Sequence, residues 1–202
     1  MVVVRDTRSR DGKYVLTQYG PGDENAHFAL KCNRGEPLFE YTGTLHDSFY
    51  FDADFGVPGS ASNGLLAFGG LWEPIIDVWD VSTPSNSHLR KRITLYPYNE
   101  HPTRPDNNHS LHHVSFSPDG SKLAALIYKT VYIYTVATWA HIGQCTFGLP
   151  NIYDLALASH DVYEFAWAPD SRYMVVTKSN GTQDLLYFQT SPSNTTTSVC
   201  VT

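Results

Sequence analysis

The chain has 202 residues and a formal net charge of −6 at pH 7, and 42% of its residues are hydrophobic while 17% are charged. This balance provides enough apolar material for a folded core and excludes a disordered chain. Binding to nucleic-acid phosphates requires a clustered excess of Lys and Arg, so we expect no nucleic-acid partner. No apolar run approaches the roughly 20 residues that span a bilayer, and the opening run 1–5 is too short for a signal peptide. We therefore expect no membrane partner and a cytoplasmic or nuclear location.

A short turn motif recurs four times along the chain, each time in front of an apolar run. The turns are Arg10-Asp11-Gly12, Ser62-Asn63-Gly64, Pro118-Asp119-Gly120 and Pro169-Asp170-Ser171. They recur about every 50 residues, a period typical of a toroid that is built from repeated four-stranded blades. In the third turn Pro118 presets a negative φ, Asp119 can bind its own backbone, and Gly120 accepts a positive φ. Each motif therefore predicts a hairpin turn between two strands.

The apolar runs around these turns predict four strands in every repeat. The predicted strands are 2–6, 13–19, 27–32 and 38–44, then 48–55, 64–68, 75–81 and 89–95, then 111–117, 122–128, 131–136 and 141–147, and finally 161–168, 172–177, 184–189 and 196–201. Runs 123–127 and 131–136 are apolar on both faces, as expected for a sheet packed between two neighbouring sheets. The prediction is an all-β fold in one domain, a β-propeller-like array of four four-stranded antiparallel blades at about 1–46, 47–99, 109–149 and 159–202.

Two parts of the chain resemble a known family. Residues 114–124, which read Val-Ser-Phe-Ser-Pro-Asp-Gly-Ser-Lys-Leu-Ala, are followed by Val131-Tyr-Ile-Tyr134, and Val78-Trp79-Asp80-Val81-Ser82 forms the second part. Both resemble the WD40-repeat family of β-propellers. The family's Trp-Asp pair occurs only at Trp79-Asp80, and its Gly-His pair has no counterpart, so the chain is divergent. The resemblance implies a non-catalytic scaffold that binds other proteins and has no cofactor.

The longest irregular segment, 96–108, contains three prolines. A loop of this length between two blades is more often functional than a tight turn is. We therefore predict that the stretch 96–113 is the main contact surface for a partner protein. Two tryptophans near strand ends are interpreted either as packing residues or as contact anchors. The candidate binding residues are Tyr96, Tyr98, His101, Arg104, Asp106, His109, Trp72 and Trp139.

No catalytic constellation is recognisable in the sequence. Ser159, His160 and Asp161 are the residue types of a hydrolase triad, but consecutive residues cannot adopt the geometry of a triad. Asp52 and Asp54 share one face of a predicted strand, where they form an acid–base pair, line a polar channel or face solvent. Histidines and a carboxylate cluster within 101–113, but their spacing is loose for a shared metal ion, so we predict no metal site.

Three cysteines, Cys32, Cys145 and Cys200, lie in three different repeats. An odd number of scattered cysteines predicts no disulfide framework and favours a reducing compartment.

The number of blades leaves the closure of the ring open. A partial ring exposes the apolar flanks of its end blades, and such patches favour association. We therefore expect the chain to associate with itself or to be completed by another propeller fragment, and a closed four-blade ring is the competing interpretation. The alternative functions are part of a propeller hydrolase or lactonase with a divalent metal, or a truncated propeller fragment without independent function.

Overall fold

The computed structural model describes residues 3–19, 26–32, 37–43, 52–69, 75–83, 86–95, 111–127, 130–146, 162–178, 183–190 and 196–201. Within these ranges sixteen β-strands form four sheets of four antiparallel strands each. These residues include no helix that is long and apolar enough to cross a membrane. The predicted all-β array of four four-stranded blades is therefore confirmed.

Each sheet follows the order of the chain, so every strand pairs with its neighbours in sequence. Blade 1 contains β1 (Val3–Arg8), β2 (Tyr14–Tyr19), β3 (Ala26–Cys32) and β4 (Pro37–Gly43). Blade 2 contains β5 (Asp52–Phe55), β6 (Leu65–Gly69), β7 (Ile75–Asp80) and β8 (His88–Thr94). Blade 3 contains β9 (Leu111–Phe116), β10 (Lys122–Ile127), β11 (Thr130–Thr135) and β12 (His141–Thr146). Blade 4 contains β13 (Val162–Trp167), β14 (Tyr173–Lys178), β15 (Gln183–Thr190) and β16 (Thr196–Val201).

The recurrent turns use the predicted side-chain chemistry. In three of them the Asp carboxylate accepts a hydrogen bond from the backbone N–H two residues later. This bond satisfies a donor that would otherwise be unpaired where the chain reverses. The pairs are Asp11 with Lys13 at 3.1 Å, Asp119 with Ser121 at 3.0 Å, and Asp170 with Arg172 at 3.0 Å.

Gly120 is required for two separate reasons. Its φ of +66° lies in the left-handed region, a backbone conformation that residues other than glycine rarely adopt. A β-carbon at this position would also overlap the side chains of Ser60 and Ser62 in the turn of blade 2. The turns of blades 2 and 3 are therefore packed directly against each other at one end of the array.

Apolar clusters fill the spaces between successive blades. Alternate residues of β10 belong to different clusters, because neighbouring side chains on a strand point to opposite faces. Leu123 and Ala125 pack in the cluster between blades 2 and 3, whereas Ala124 and Leu126 pack in the cluster between blades 3 and 4. A third cluster joins blades 1 and 2. Blade 3 is thus buried on both faces, as its apolar strands predict.

Cys145 in β12 is buried and disulfide-bonded. The expectation that the cysteines form no disulfide is therefore wrong for this residue. An odd number of cysteines prevents complete pairing but permits one bond, and strands from different repeats come together in the fold. In this case β12 of blade 3 lies against β16 of blade 4.

Candidate binding groove

The innermost strands of blades 2 and 3 are joined by two carboxylates. Asp52 and Asp54, two residues apart on β5, both point towards β9. The Asp52 carboxylate accepts a 2.8 Å hydrogen bond from the backbone N–H of Val114, and the Asp54 carboxylate accepts one of 2.8 Å from that of Phe116. Each carboxylate therefore satisfies a main-chain donor of the next blade and holds blades 2 and 3 together.

Asp54 has further partners in a third blade. The Arg10 guanidinium of blade 1 donates to its carboxylate at 3.1 Å and to the carbonyl oxygen of Phe116 at 3.0 Å. Burial raises the pKa of Asp54 above its ordinary value of 3.8, although the Arg10 charge and the hydrogen bonds from Phe116 and Ser115 oppose that rise. On the other side of blade 3, the indole N–H of Trp167 donates to the carbonyl oxygen of Ser115 at 3.3 Å. Directional bonds thus run across all four blades near the innermost strands.

The histidines of β9 do not form a metal site with the residues that the structure describes, because no group of three or more His, Cys, Asp or Glu side chains converges there. The Nδ1 atom of His113 lies 2.7 Å from the Asp52 carboxylate. The ring of His113 also packs edge-on against Phe165, with centroids 4.6 Å apart. His112 is exposed on the opposite face of the strand. His113 therefore contributes to the contact between blades.

A groove of about 570 Å³ lies between the outer parts of blades 2 and 3. Blades radiate from the innermost strands, so neighbouring sheets separate towards their outer strands and leave such a space. Its volume lies in the range of ligand sites, which is roughly 300–1,000 Å³. The lining residues are Lys91, Arg92, Ile93, Thr94 and Leu95 from blade 2, and Tyr132, Tyr134, Trp139, His141 and Gln144 from blade 3.

Lys91 is exposed on the blade 2 wall of the groove. Lys91 lies opposite Val78, which packs in the cluster between blades 2 and 3, so Lys91 points towards blade 3. Arg92 is the next residue and points to the other side, where its guanidinium forms two hydrogen bonds of 2.7 Å with the Asp77 carboxylate. Lys91 makes no hydrogen bond or ion pair within the described part of the chain.

The blade 3 wall is aromatic. The His141 ring lies 5.4 Å from that of Tyr134 and 6.1 Å from that of Tyr132, measured between centroids. Burial raises the pKa of Tyr134 to about 12, and Tyr132 adds to the rise, so the Tyr134 hydroxyl stays protonated at neutral pH. Both tyrosines are buried, which fixes their rings in place.

Trp139 stands at the end of this wall in an unusual backbone conformation. Its φ is +57°, in the left-handed region, and its N–H donates a 2.8 Å hydrogen bond to the carbonyl oxygen of Thr135. A non-glycine residue in this region costs roughly 1–2 kcal/mol, and such strained positions occur often at functional sites. The indole is half-buried against the cluster between blades 2 and 3 and lines the groove.

Only part of the predicted contact surface lies within the described residues. Trp139 is found in the groove. Its neighbours Lys91, Tyr132, Tyr134 and His141 were not among the contact residues predicted from the sequence, although two tyrosines spaced two apart do predict one shared strand face. The other candidates, Tyr96, Tyr98, His101, Arg104, Asp106, His109 and Trp72, lie outside the described residues.

Blade 4 has an apolar face that points away from blade 3. Ala166 lies opposite Val175, which lies opposite Leu185, so these residues form one row across three strands. Leu185 is 47% exposed, and Ala166 is exposed too. The opposite face carries Phe165 and Met174, which are buried against blade 3. Blade 4 therefore has apolar residues on both faces, of which one is open among the described residues.

Solved structures with the same arrangement of sheets are β-propellers. The match to Hsv2 from Kluyveromyces lactis has a TM-score of 0.62 at 12% sequence identity and covers 96% of this chain. The match to the β-propeller domain of Cps50 (Swd1) from Myceliophteria thermophila has a TM-score of 0.59 at 13% identity and covers 90% of this chain. This chain has a β-propeller fold. It spans about half the length of these relatives, 50% of Hsv2 and 51% of Cps50. No protein-family model and no curated protein matches the chain.

Proposed function

We propose that this WD40-like chain is a scaffold that binds other proteins and has no catalytic chemistry of its own. The observation that carries the proposal is the open groove in which Trp139 stands beside Tyr132 and Tyr134. Trp and Tyr are enriched among the residues that dominate binding energies at protein interfaces. The aromatic wall is already held in place by two strands, so a partner would order few side chains on binding.

The stretch 96–113 extends this proposed contact surface. Leu95 is buried at the groove, and the predicted loop follows it directly in the sequence. Tyr96, Tyr98, His101, Arg104, Asp106 and His109 belong to that stretch. A partner that enters the groove at Leu95 is then expected to contact the loop as well.

Affinity purification with purified bait tests the proposed function. The wild-type chain is compared with Trp139→Ala, which removes the groove indole, and with Arg172→Glu, which changes an exposed residue of the blade 4 turn. We expect a set of proteins that the wild type and Arg172→Glu retain and Trp139→Ala loses, and direct binding of a purified member of that set. If Trp139→Ala retains every protein that the wild type retains, the groove has no role in partner binding.

The second candidate is association with another propeller fragment or with a second copy of the chain. The row Ala166, Val175 and Leu185 on the open face of blade 4 favours this candidate. Both faces of blade 3, by contrast, are covered by the neighbouring blades. The match to about half of a complete propeller also supports it. Covering an apolar sheet face removes area from water and stabilises the associated form.

Light scattering coupled to size exclusion tests this candidate. We expect wild type to elute as a dimer and Leu185→Glu as a monomer, because the charge lies in the proposed interface. Leu89→Glu is the matched control, since Leu89 is 41% exposed on the outer strand β8 of blade 2. A wild-type monomer, or a dimer that survives Leu185→Glu, contradicts self-association through this face.

A further inference from the structure

Two polar side chains at the groove between blades 2 and 3 present hydrogen-bond donors and no acceptor. The Lys91 ammonium and the indole N–H of Trp139 can only donate. Neither side chain has a hydrogen-bond partner within the described part of the chain. The Tyr134 hydroxyl also lines the groove, where it can donate or accept a hydrogen bond. An occupant of the groove must therefore supply acceptors.

The charge of the groove differs from that of the whole chain. The chain carries a formal net charge of −6, yet no Asp or Glu of the described residues lines the groove. Lys91 is exposed there, and His141 stands opposite it on the blade 3 wall. The nearest carboxylate on β7, that of Asp77, lies on the other face of blade 2 and is bound by Arg92. The field in the groove thus favours an anionic occupant.

The base of the groove, as the described residues form it, is apolar. Ile93 and Leu95 are buried at its blade 2 side, and Tyr132 and Tyr134 at its blade 3 side. A bare anion would leave this apolar surface uncovered, whereas a peptide with alternating apolar and acidic side chains would cover the base and place carboxylates at Lys91. An extended segment of this kind also fits between two neighbouring sheets.

We infer that the groove binds an acidic peptide segment of a partner protein, in which carboxylates bind Lys91 and the Trp139 indole while apolar side chains pack on Tyr132 and Tyr134. This inference rests on the proposed scaffold function and names the chemistry of the partner. It requires a segment with at least one Asp or Glu next to a large apolar residue.

Fluorescence anisotropy with two labelled probe peptides tests the inference. One peptide repeats Glu-Leu-Glu-Gly and the other repeats Lys-Leu-Lys-Gly, so that they differ only in charge. We expect the wild-type chain to bind the Glu peptide at least about tenfold more tightly than the Lys peptide, with affinity that falls as salt is added. Lys91→Glu should weaken binding of the Glu peptide about tenfold, and Lys91→Met less. Arg172→Glu, an exposed charge reversal on blade 4, should leave the affinity unchanged.

Three results would overturn the inference. The first is that the Glu and Lys peptides bind equally well. The second is that Lys91→Glu binds the Glu peptide as tightly as the wild type does. The third is that neither peptide binds, whereas the chain sediments with phosphatidylserine vesicles and Lys91→Glu abolishes this sedimentation. That result would assign the groove to a lipid surface. Circular dichroism melting of each variant confirms that it is folded before its affinity is interpreted.

The two proposals fail in different ways. If Trp139→Ala loses protein partners but the Glu peptide does not bind, the scaffold function stands and the acidic chemistry is wrong. If Trp139→Ala keeps every partner, the scaffold function of the groove fails, and binding of the Glu peptide then has no physiological counterpart.

Discussion

The carboxylate of Asp54 contributes a hydrogen-bond acceptor and a negative charge to the contact between blades 2 and 3, and replacement by Ala and by Asn separates these two contributions. Its oxygen accepts hydrogen bonds from the backbone N–H of Phe116 and from Arg10. Asp54→Ala leaves the N–H of Phe116, a residue that is fully buried, without an acceptor. An unsatisfied buried donor costs about 1–3 kcal/mol, so we expect the free energy of unfolding to fall by about 2–3 kcal/mol.

Asp54→Asn should lower the free energy of unfolding much less than Asp54→Ala does. The amide keeps an oxygen for the Phe116 N–H and removes the charge whose burial raises the pKa of Asp54. The main loss is the ion pair with Arg10, whose side chain is 36% exposed while that of Asp54 is 20% exposed. A pair this accessible contributes about 0.2–1 kcal/mol. We expect Asp54→Asn to lie within about 1 kcal/mol of wild type at pH 7.

The contribution of Asp54 to the free energy of unfolding should change with pH in a definite direction. Because the pKa of Asp54 in the folded protein lies above its ordinary value of 3.8, its protonated form favours folding. That contribution is complete below pH 3.8 and is lost as the pH rises through the raised pKa. The stability of wild type relative to Asp54→Asn should therefore fall over this interval.

Urea unfolding of wild type, Asp54→Ala and Asp54→Asn at a series of pH values from about 3 to about 7 measures these differences, because this range begins below the ordinary Asp pKa of about 3.9. The reasoning is refuted if Asp54→Asn is as unstable as Asp54→Ala at pH 7. It is also refuted if the difference between wild type and Asp54→Asn rises with pH, because the carboxylate would then be stabilised in its charged form.

Three further predictions concern the turns, the surface and the disulfide. Gly120→Ala should lower the free energy of unfolding by about 2–4 kcal/mol, whereas Gly12→Ala, with a similar φ but nothing within 4 Å of its β-carbon, should cost about 1 kcal/mol; equal values in thermal melts would contradict the close approach of the turns. Arg92→Lys should cost about 1 kcal/mol, because a lysine cannot form both hydrogen bonds with Asp77, and a urea midpoint equal to that of wild type would show that the pair contributes nothing. A non-reducing digest should give the Cys145 peptide joined to the peptide that contains β16, since β12 lies against that strand; a free Cys145 thiol would be the contrary result.

The repeat of turns was sufficient to predict the blades because each turn depends on local chemistry. Asp119 binds the backbone two residues later whatever surrounds it, so its role follows from neighbouring residues alone. The apolar faces of β10 were equally predictable, since a strand with apolar residues on both sides must be covered on both sides.

The groove and the contacts between blades depend on residues that are distant in sequence. The period-two spacing of Asp52 and Asp54 predicted a shared face, but their acceptor role required knowledge of β9, about 60 residues later. Lys91 and Tyr134 come from different repeats, and they line one groove only because blades 2 and 3 lie next to each other in the fold. Cys145 shows the same limit, because the number of cysteines does not specify which strands meet.

The hydrogen bonds that join the innermost strands bear on the cooperativity of unfolding. In repeat proteins, stability is approximately the sum of the intrinsic stability of each unit and the coupling between nearest neighbours. Each interface from Arg10 through Asp54 and Ser115 to Trp167 adds a directional bond to an apolar cluster, which strengthens that coupling. Opening one blade then exposes unpaired main-chain donors on the next. Amide hydrogens of β5 and β9 should accordingly exchange together, in a single collective event, and the array should melt as one unit.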